Sequence, residues 1–298
     1  MPLFVKQREN GDVQTLVLFL HSLIIRKEHQ MYFPKQVFFL LLVLFMAISH
    51  SSANERRFVY TYETSVLPPG SREIETWNTY RSGKNFFSRR LDQRVEYEFG
   101  VTKNLMASIY FNNSMTTEDS NGDAPGGNST SSYELGFSNE WKYKISDRVA
   151  DPLGIGLYGE FTFTPGEAEI EGKLLFDKEL RDFLFAFNGV LEQEWESEVD
   201  NGETKTAKEL KVEFDLGVSY LLTSGLSAGV EIRQHNVIVA GEIEHSTLFA
   251  GPVISYASES WWATLAVQPQ MKSFKGSTTL DLQEYEKFQT RLLFSFHI

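Results

Sequence analysis

The sequence predicts an all-β fold: a transmembrane antiparallel up-and-down β-barrel of about twelve strands, after a cleaved signal peptide. Three observations carry this. Val95, Tyr97 and Phe99 alternate with Arg94, Glu96 and Glu98, a turn at 100–104 reverses the chain, and Leu105, Ala107, Ile109 and Phe111 alternate with Met106, Ser108, Tyr110 and Asn112. Strict period-two alternation gives strands with one oily and one polar face. The polar faces carry bulky charges rather than Ser and Thr, so the oily faces are expected to look outward into lipid. The same hairpin recurs to the end of the chain. A closed barrel is the β-structure that satisfies every backbone donor and acceptor inside a bilayer.

The first elements concern targeting. The apolar run 37–48 follows Lys35 and precedes 49–53, where Ser51 and Ala53 are small residues at the positions a signal peptidase reads. A dozen apolar residues fall short of the roughly 20 that a spanning helix needs. Residues 31–53 are therefore expected to be a secretory signal, and 1–30 a gene-start extension, since Met31 begins a natural basic n-region. The alternative is a genuine N-terminal extension with a second apolar patch at 16–25. Residues 54–298 form the single barrel domain.

There is no cysteine, which excludes a disulfide framework and thiol-based metal or redox chemistry. The chain carries a formal charge of −12, and the part after residue 53 carries 23 basic and 37 acidic residues. That acidic balance argues against a nucleic-acid partner. Aromatic residues reach 14%, as interfacial girdles require.

The strands read at about 72–82, 86–99, 105–114, 133–145, 154–164, 168–177, 183–197, 209–222, 226–236, 246–256, 260–271 and 286–298. A thirteenth extended stretch, 57–64, is cut off by Pro68-Pro69, which cannot join a ladder. It reads as a periplasmic lead, a lumen insert or a supernumerary strand. The connections at 100–104, 223–225 and 257–259 are tight, and those at 116–132, 199–208, 236–245 and 272–284 are long, polar or glycine-rich. Twelve strands put the tight turns on a periplasmic rim and the long loops outside; the connections at Pro152 and Pro165-Gly166 fit that parity less well.

The proposed lipid face includes Tyr133, Leu135, Phe137 and Trp141 in one strand, Phe183, Phe185 and Phe187 in another, and Leu292, Phe294, Phe296 and Ile298 in the last. The opposite face holds Arg90, Arg94, Glu96, Glu98, Glu140, Lys142, Lys144, Glu160, Glu169, Glu171 and Lys173. It continues with Glu192, Glu194, Glu196, Lys211, Glu213, Asp215, Glu231, Arg233 and Arg291. So many ionisable groups need water or one another, because an unpaired charge in a dry core costs several kcal/mol, roughly. They are expected to face a lumen that either conducts or is filled by ion pairs.

Residues 96–105, 191–195, 251–256, 261–265 and 291–298 resemble, in order, segments of an uncharacterised family of outer-membrane β-barrels from Gram-negative bacteria. The resemblance runs over about 58–298. It implies a porin- or transporter-like barrel in the outer membrane and no established activity. The last strand resembles the signal read by the barrel-insertion machinery, with Phe294 and Phe296, but ends on Ile298 rather than on an aromatic residue.

No catalytic or cofactor motif stands out, and neither an enzyme nor a cofactor is expected. His245 with Thr247 two residues on offers a base and a hydroxyl on one face, without an identifiable third partner. Glu192, Glu194 and Glu196 lie roughly 7 Å apart along one strand, too far for one cation without help from neighbours. The segment 119–123 faintly suggests calcium but lacks the later bidentate Glu. The expected function is a passive channel for small hydrophilic solutes in the outer membrane, its partners being lipids, the insertion machinery and those solutes. The alternatives are a plugged structural or surface-interaction barrel, a lipid-modifying enzyme at His245, and a soluble β-sandwich with its oily faces packed together.

Overall fold

The computed structural model describes residues 55–119, 129–200, 203–276 and 278–298. The expected extension 1–30, the signal 31–53 and most of the calcium-like segment 119–123 lie outside the described residues. Twelve strands follow in order: β1 (Arg72–Ser82), β2 (Ser88–Gly100), β3 (Leu105–Asp119), β4 (Ser129–Ser146), β5 (Gly154–Phe163) and β6 (Glu167–Leu180), then β7 (Phe183–Asp200), β8 (Glu203–Leu221), β9 (Leu226–Val239), β10 (Glu242–Ala257), β11 (Trp261–Ser273) and β12 (Phe288–His297). Each pairs antiparallel with the next, and β12 closes on β1 with Ile74 opposite Phe296 and Ser82 opposite Phe288. The soluble sandwich is thereby set aside: one sheet closes on itself, and among the described residues no second sheet covers the oily faces.

The alternation sets which side chains go where. Phe111, Tyr133, Leu135 and Leu191 are 60–70% exposed on the outside, while Glu96, Glu140 and Glu231 on the other face are at most 2% exposed. An exposed apolar surface of this extent marks a lipid or protein partner. Inside, Trp77, Tyr158, Leu175, Leu184, Trp262 and Leu293 form an apolar cluster towards the rim where β1 begins and β12 ends. The barrel's packed core therefore lies within the lumen, at one end.

The connections differ from the expected layout in a consistent way. The stretches 199–208 and 236–245, expected as loops, are mostly strand: β7 and β8 run to 18 and 19 residues, and β9 joins β10 through Ala240-Gly241. Both turn residues have positive φ, 52° and 87°, as a tight two-residue hairpin requires. A tilted strand crosses a bilayer in about 9–11 residues, so these hairpins continue as ribbons beyond the apolar band. Polar alternation such as Thr206-Ala207-Lys208 needs no lipid to form a ladder, and that is why it reads as a loop in the sequence. The Pro152 and Pro165-Gly166 connections reverse the length rule. The link 147–153 lies on the rim of otherwise short turns, and the short 164–166 link lies on the opposite rim.

Candidate functional site

Residues 55–68 enter the barrel and fill one half of its lumen, at the short-turn rim. The stretch 57–64 is thus a lumen insert, not a strand. It enters beside β2, where the Gly70 N–H donates to the Gly100 carbonyl at 3.0 Å and the Gly100 N–H to the Ser71 carbonyl at 3.0 Å. A Cβ on Gly100 would stand 2.0 Å from the Pro68 carbonyl oxygen, so only glycine lets the chain pass there.

Inside the barrel the insert cannot make ladder bonds, and side chains from the wall supply its partners instead. The Glu231 carboxylate accepts hydrogen bonds from the backbone N–H groups of Val59, Tyr60 and Thr61 at 2.8–3.1 Å. Asn188 closes a pair with Tyr62, accepting from its N–H at 2.6 Å and donating to its carbonyl at 2.9 Å. Asp177 accepts from the Thr64 N–H and hydroxyl at 2.9 and 2.7 Å. Phe58, Val59 and Leu67 are wholly buried. Arg56 lies over the rings of Tyr62 and Trp77, 3.6 Å from the Glu75 carboxylate. Unpaired buried backbone groups are costly, so this set of wall acceptors is what allows an irregular segment to sit there.

Beyond the insert, towards the opposite rim, the lumen opens into a cavity of about 860 Å³ floored by Tyr60 and Tyr62. Its charges are segregated. Arg81, Arg90, Arg94 and Arg291 come from β1, β2 and β12, while Glu167, Glu169, Glu171, Glu192, Glu194 and Glu196 come from β6 and β7. In the closed strand order β6 and β7 lie across the barrel from β12 and β1, so the cavity carries a transverse field. Each wall is partly neutralised. Arg81 pairs with Asp92 and Glu286 at 2.7 and 3.1 Å, Arg94 with Glu160 at 3.3 Å, and Lys173 with Glu171 at 3.0 Å. Lys211 of β8 holds both Glu192 and Glu194.

The β11–β12 connection folds over part of this cavity. Its Tyr285 packs edge-on against His235, His245 and Phe249, and its Asp281 carboxylate lies 2.8 Å from His245 Nδ1. The carboxylate partner that the sequence could not supply for His245 is therefore Asp281. However, His245 lines the lumen rather than facing lipid, and Thr247, the hydroxyl two residues on, is wholly buried and not among the cavity's lining residues.

Of the charged residues singled out from the sequence, Arg90, Arg94, Glu160, Glu169, Glu171, Lys173, Glu192, Glu194, Glu196, Lys211, Glu213, Arg233 and Arg291 line the cavity. Glu96, Glu98, Glu140, Lys142, Asp215 and Glu231 are buried. Lys144 stands at the short-turn rim, paired with Asp147 at 3.1 Å. The sequence reading missed Arg81 and Asp92 in the wall, although Asp92 shares the parity of Arg90 and Arg94. It also missed Asn188 and Asp177, whose importance exists only because the insert reaches them. Strand pairing places Glu169 opposite Glu194, and with Glu167 their carboxylate oxygens come within 4.8 Å of one another. That grouping runs across two strands, not along one as in the Glu192, Glu194, Glu196 series.

The closed sheet, the apolar exterior and the charged interior define an outer-membrane-type β-barrel. The chain belongs to a family of unknown function, DUF6662, whose model matches residues 50–298. Among solved structures, it is similar to the COG4313 outer membrane channel from Pseudomonas putida F1, with 13% identity, a TM-score of 0.57, and coverage of 81% of this chain and 100% of that one. It is also similar to the translocator domain of the autotransporter NalP from Neisseria meningitidis, with 11% identity, a TM-score of 0.51, and coverage of 79% and 91%. At such identities the likeness is one of fold. No protein of curated function matches the sequence.

Proposed function

We propose that this barrel sits in the outer membrane of a Gram-negative bacterium and is a channel for small hydrophilic solutes, with residues 55–68 closing its periplasmic half. The observation that carries this reading is the lumen's division into two parts. One half is a wide, charged cavity with a transverse field, and the other is filled by a single non-covalently held segment. A barrel that only had to be a wall would need no hydrated half. A closure made of hydrogen bonds to Glu231, Asn188 and Asp177 can come and go without disturbing the ladder. The depth of burial of Phe58 and Leu67 favours a second reading, a permanently plugged barrel that acts through its outer surface.

Planar-bilayer conductance separates the two. Native protein is expected to show rare openings, and a Glu231→Ala, Asn188→Ala double variant frequent ones, both retaining a heat-modifiable band on gels. A folded double variant that stays silent would leave the plugged barrel as the better account.

A further inference from the structure

Among the described residues, one guanidinium in the wall of the cavity has no carboxylate partner. Arg291 on β12 donates from Nε to the Thr79 hydroxyl at 2.7 Å, and its guanidinium lies 4.1 Å from the centre of the Tyr60 ring and 5.1 Å from that of Trp77. Among the described residues no carboxylate pairs with it. The register explains why: Arg291 stands opposite Thr79 on one side and Ala266 on the other, with Gln289 and Leu293 two positions away on its own strand. By contrast Arg81, Arg94 and Arg233 each have a carboxylate within 3.3 Å.

The surroundings increase the effect. The Tyr60 ring is shared between Arg291 and Arg233, each 4.1 Å from its centre. Trp77 is shared among Arg291, Arg94 and Arg56, at 5.1, 4.7 and 5.0 Å. Aromatic faces hold guanidinium planes in place and take up part of their charge, but leave their edge N–H groups free. Among the described residues the terminal nitrogens of Arg291 meet no hydrogen-bond acceptor, and the guanidinium groups of Arg81, Arg90 and Arg94 stand in the same wall. A planar fork with uncommitted donors is the arrangement that recognises carboxylate or phosphate in a bidentate manner.

The geometry points to an oxyanion site at Arg291, which takes the carboxylate or phosphate group of a small solute lying in the cavity. The acidic wall of β6 and β7 opposite sets the other half of the preference, since a second anionic group would meet Glu169 and Glu194. The solute class is therefore a small molecule with one oxyanion end and a neutral or cationic remainder. This rests on the cavity being a solute site, as proposed above, but it does not require conduction.

The test is a binding measurement on the refolded barrel in detergent, by titration calorimetry with inorganic phosphate and, separately, with acetate. Either anion should bind to the native protein, and Arg291→Gln should weaken that binding about ten- to a hundredfold, as expected for one charge-assisted bidentate contact. Arg291→Lys keeps the charge and loses the fork, and should fall in between. Absence of binding by the native protein, or equal binding by Arg291→Gln, overturns the site. If Arg291→Gln gives no heat-modifiable band, Arg291→Lys decides: undiminished affinity overturns the site and a clear loss supports it. Binding to a barrel that never conducts would keep the oxyanion site and reject the channel, so the two proposals fail separately.

Discussion

Glu231 Oε1 lies 2.8 Å from the backbone nitrogen of Tyr60, so a carboxylate in the wall of β9 grips the main chain of a segment 171 positions earlier in sequence. The same carboxylate also takes the N–H groups of Val59 and Thr61, and it is wholly buried. Three donors aimed at one anion form a small nest for it, and removal of the carboxylate leaves those donors orphaned in the lumen. Glu231→Ala is expected to loosen the insert by on the order of 3 kcal/mol while the strand ladder stays intact. Trypsin reports this directly, because Arg56 and Arg57 are cleavage sites and Arg56 is 7% exposed in the native fold. Faster cutting at those two residues in the folded variant is the expected outcome. An unchanged cleavage rate would mean that Glu231 does not hold the insert.

Phe58 and Gly217 form a matched pair. A Cβ on Gly217 would come within 2.6 Å of the Phe58 ring, which is itself wholly buried. Gly217→Val should therefore push the ring out of its seat and expose the 56–57 cleavage site. Phe58→Ala should cost about 3–5 kcal/mol of insert stability by leaving a cavity. Combined, the two changes compensate in part, because the valine methyls enter the space the ring leaves. A double-mutant cycle on protease susceptibility measures the coupling, expected at about 0.5–3 kcal/mol. Strict additivity would show that the two residues do not meet.

The barrel itself was legible because alternation is a local property: Val95, Tyr97 and Phe99 on one side of Glu96 and Glu98 need no knowledge of any neighbour. Twelve strands and their parity followed from it. The insert was not legible in that way. Its sequence, Arg56 to Thr64, alternates as well as many strands do, and only Pro68-Pro69 marks it as different. What distinguishes it from a strand is the presence of acceptors at Asp177, Asn188 and Glu231, which three separate strands bring together. The charged faces were legible as a set, but not the segregation of Arg from Glu across the cavity. That depends on which strands end up opposite when the sheet closes.

Lipid-facing and lumen-facing positions next to each other on β2 provide a test of orientation. Val95 is 53% exposed on the outside, and Glu96 is 1% exposed within, directly opposite Glu75. Val95→Lys should cost about 2–4 kcal/mol when the protein is folded into bilayers, if the position lies near the midplane. Glu96→Leu should cost much less, since it removes one of two acidic side chains buried opposite each other in the ladder. Urea titration of both variants in lipid vesicles gives the comparison. Equal costs, or a larger one for Glu96→Leu, would show that the faces are assigned the wrong way round.

Asp147 controls the acid response of the one long connection on the short-turn rim. Its carboxylate accepts the N–H groups of Val149 and Ala150 at 2.9 and 3.2 Å and the Lys144 ammonium at 3.1 Å. These bonds, the backbone ones first, hold its pKa down to about 2 against an ordinary 3.8. A depressed carboxyl pKa contributes stability that is fully present above the ordinary value and is lost as pH falls through the folded one. The 147–153 link should therefore keep its structure near neutrality and loosen between about 3.8 and about 2. Because the carboxylate is 42% exposed, solvent screens the pair with Lys144 and the effect stays local to the turn. Amide exchange at Val149 and Ala150, followed down that range, should lose protection in the native protein only at its acid end. In Asp147→Ala, which lacks the acceptor, both amides should exchange fast at every pH. Native protection that disappears well above the ordinary carboxyl pKa would show that some group other than Asp147 holds the turn.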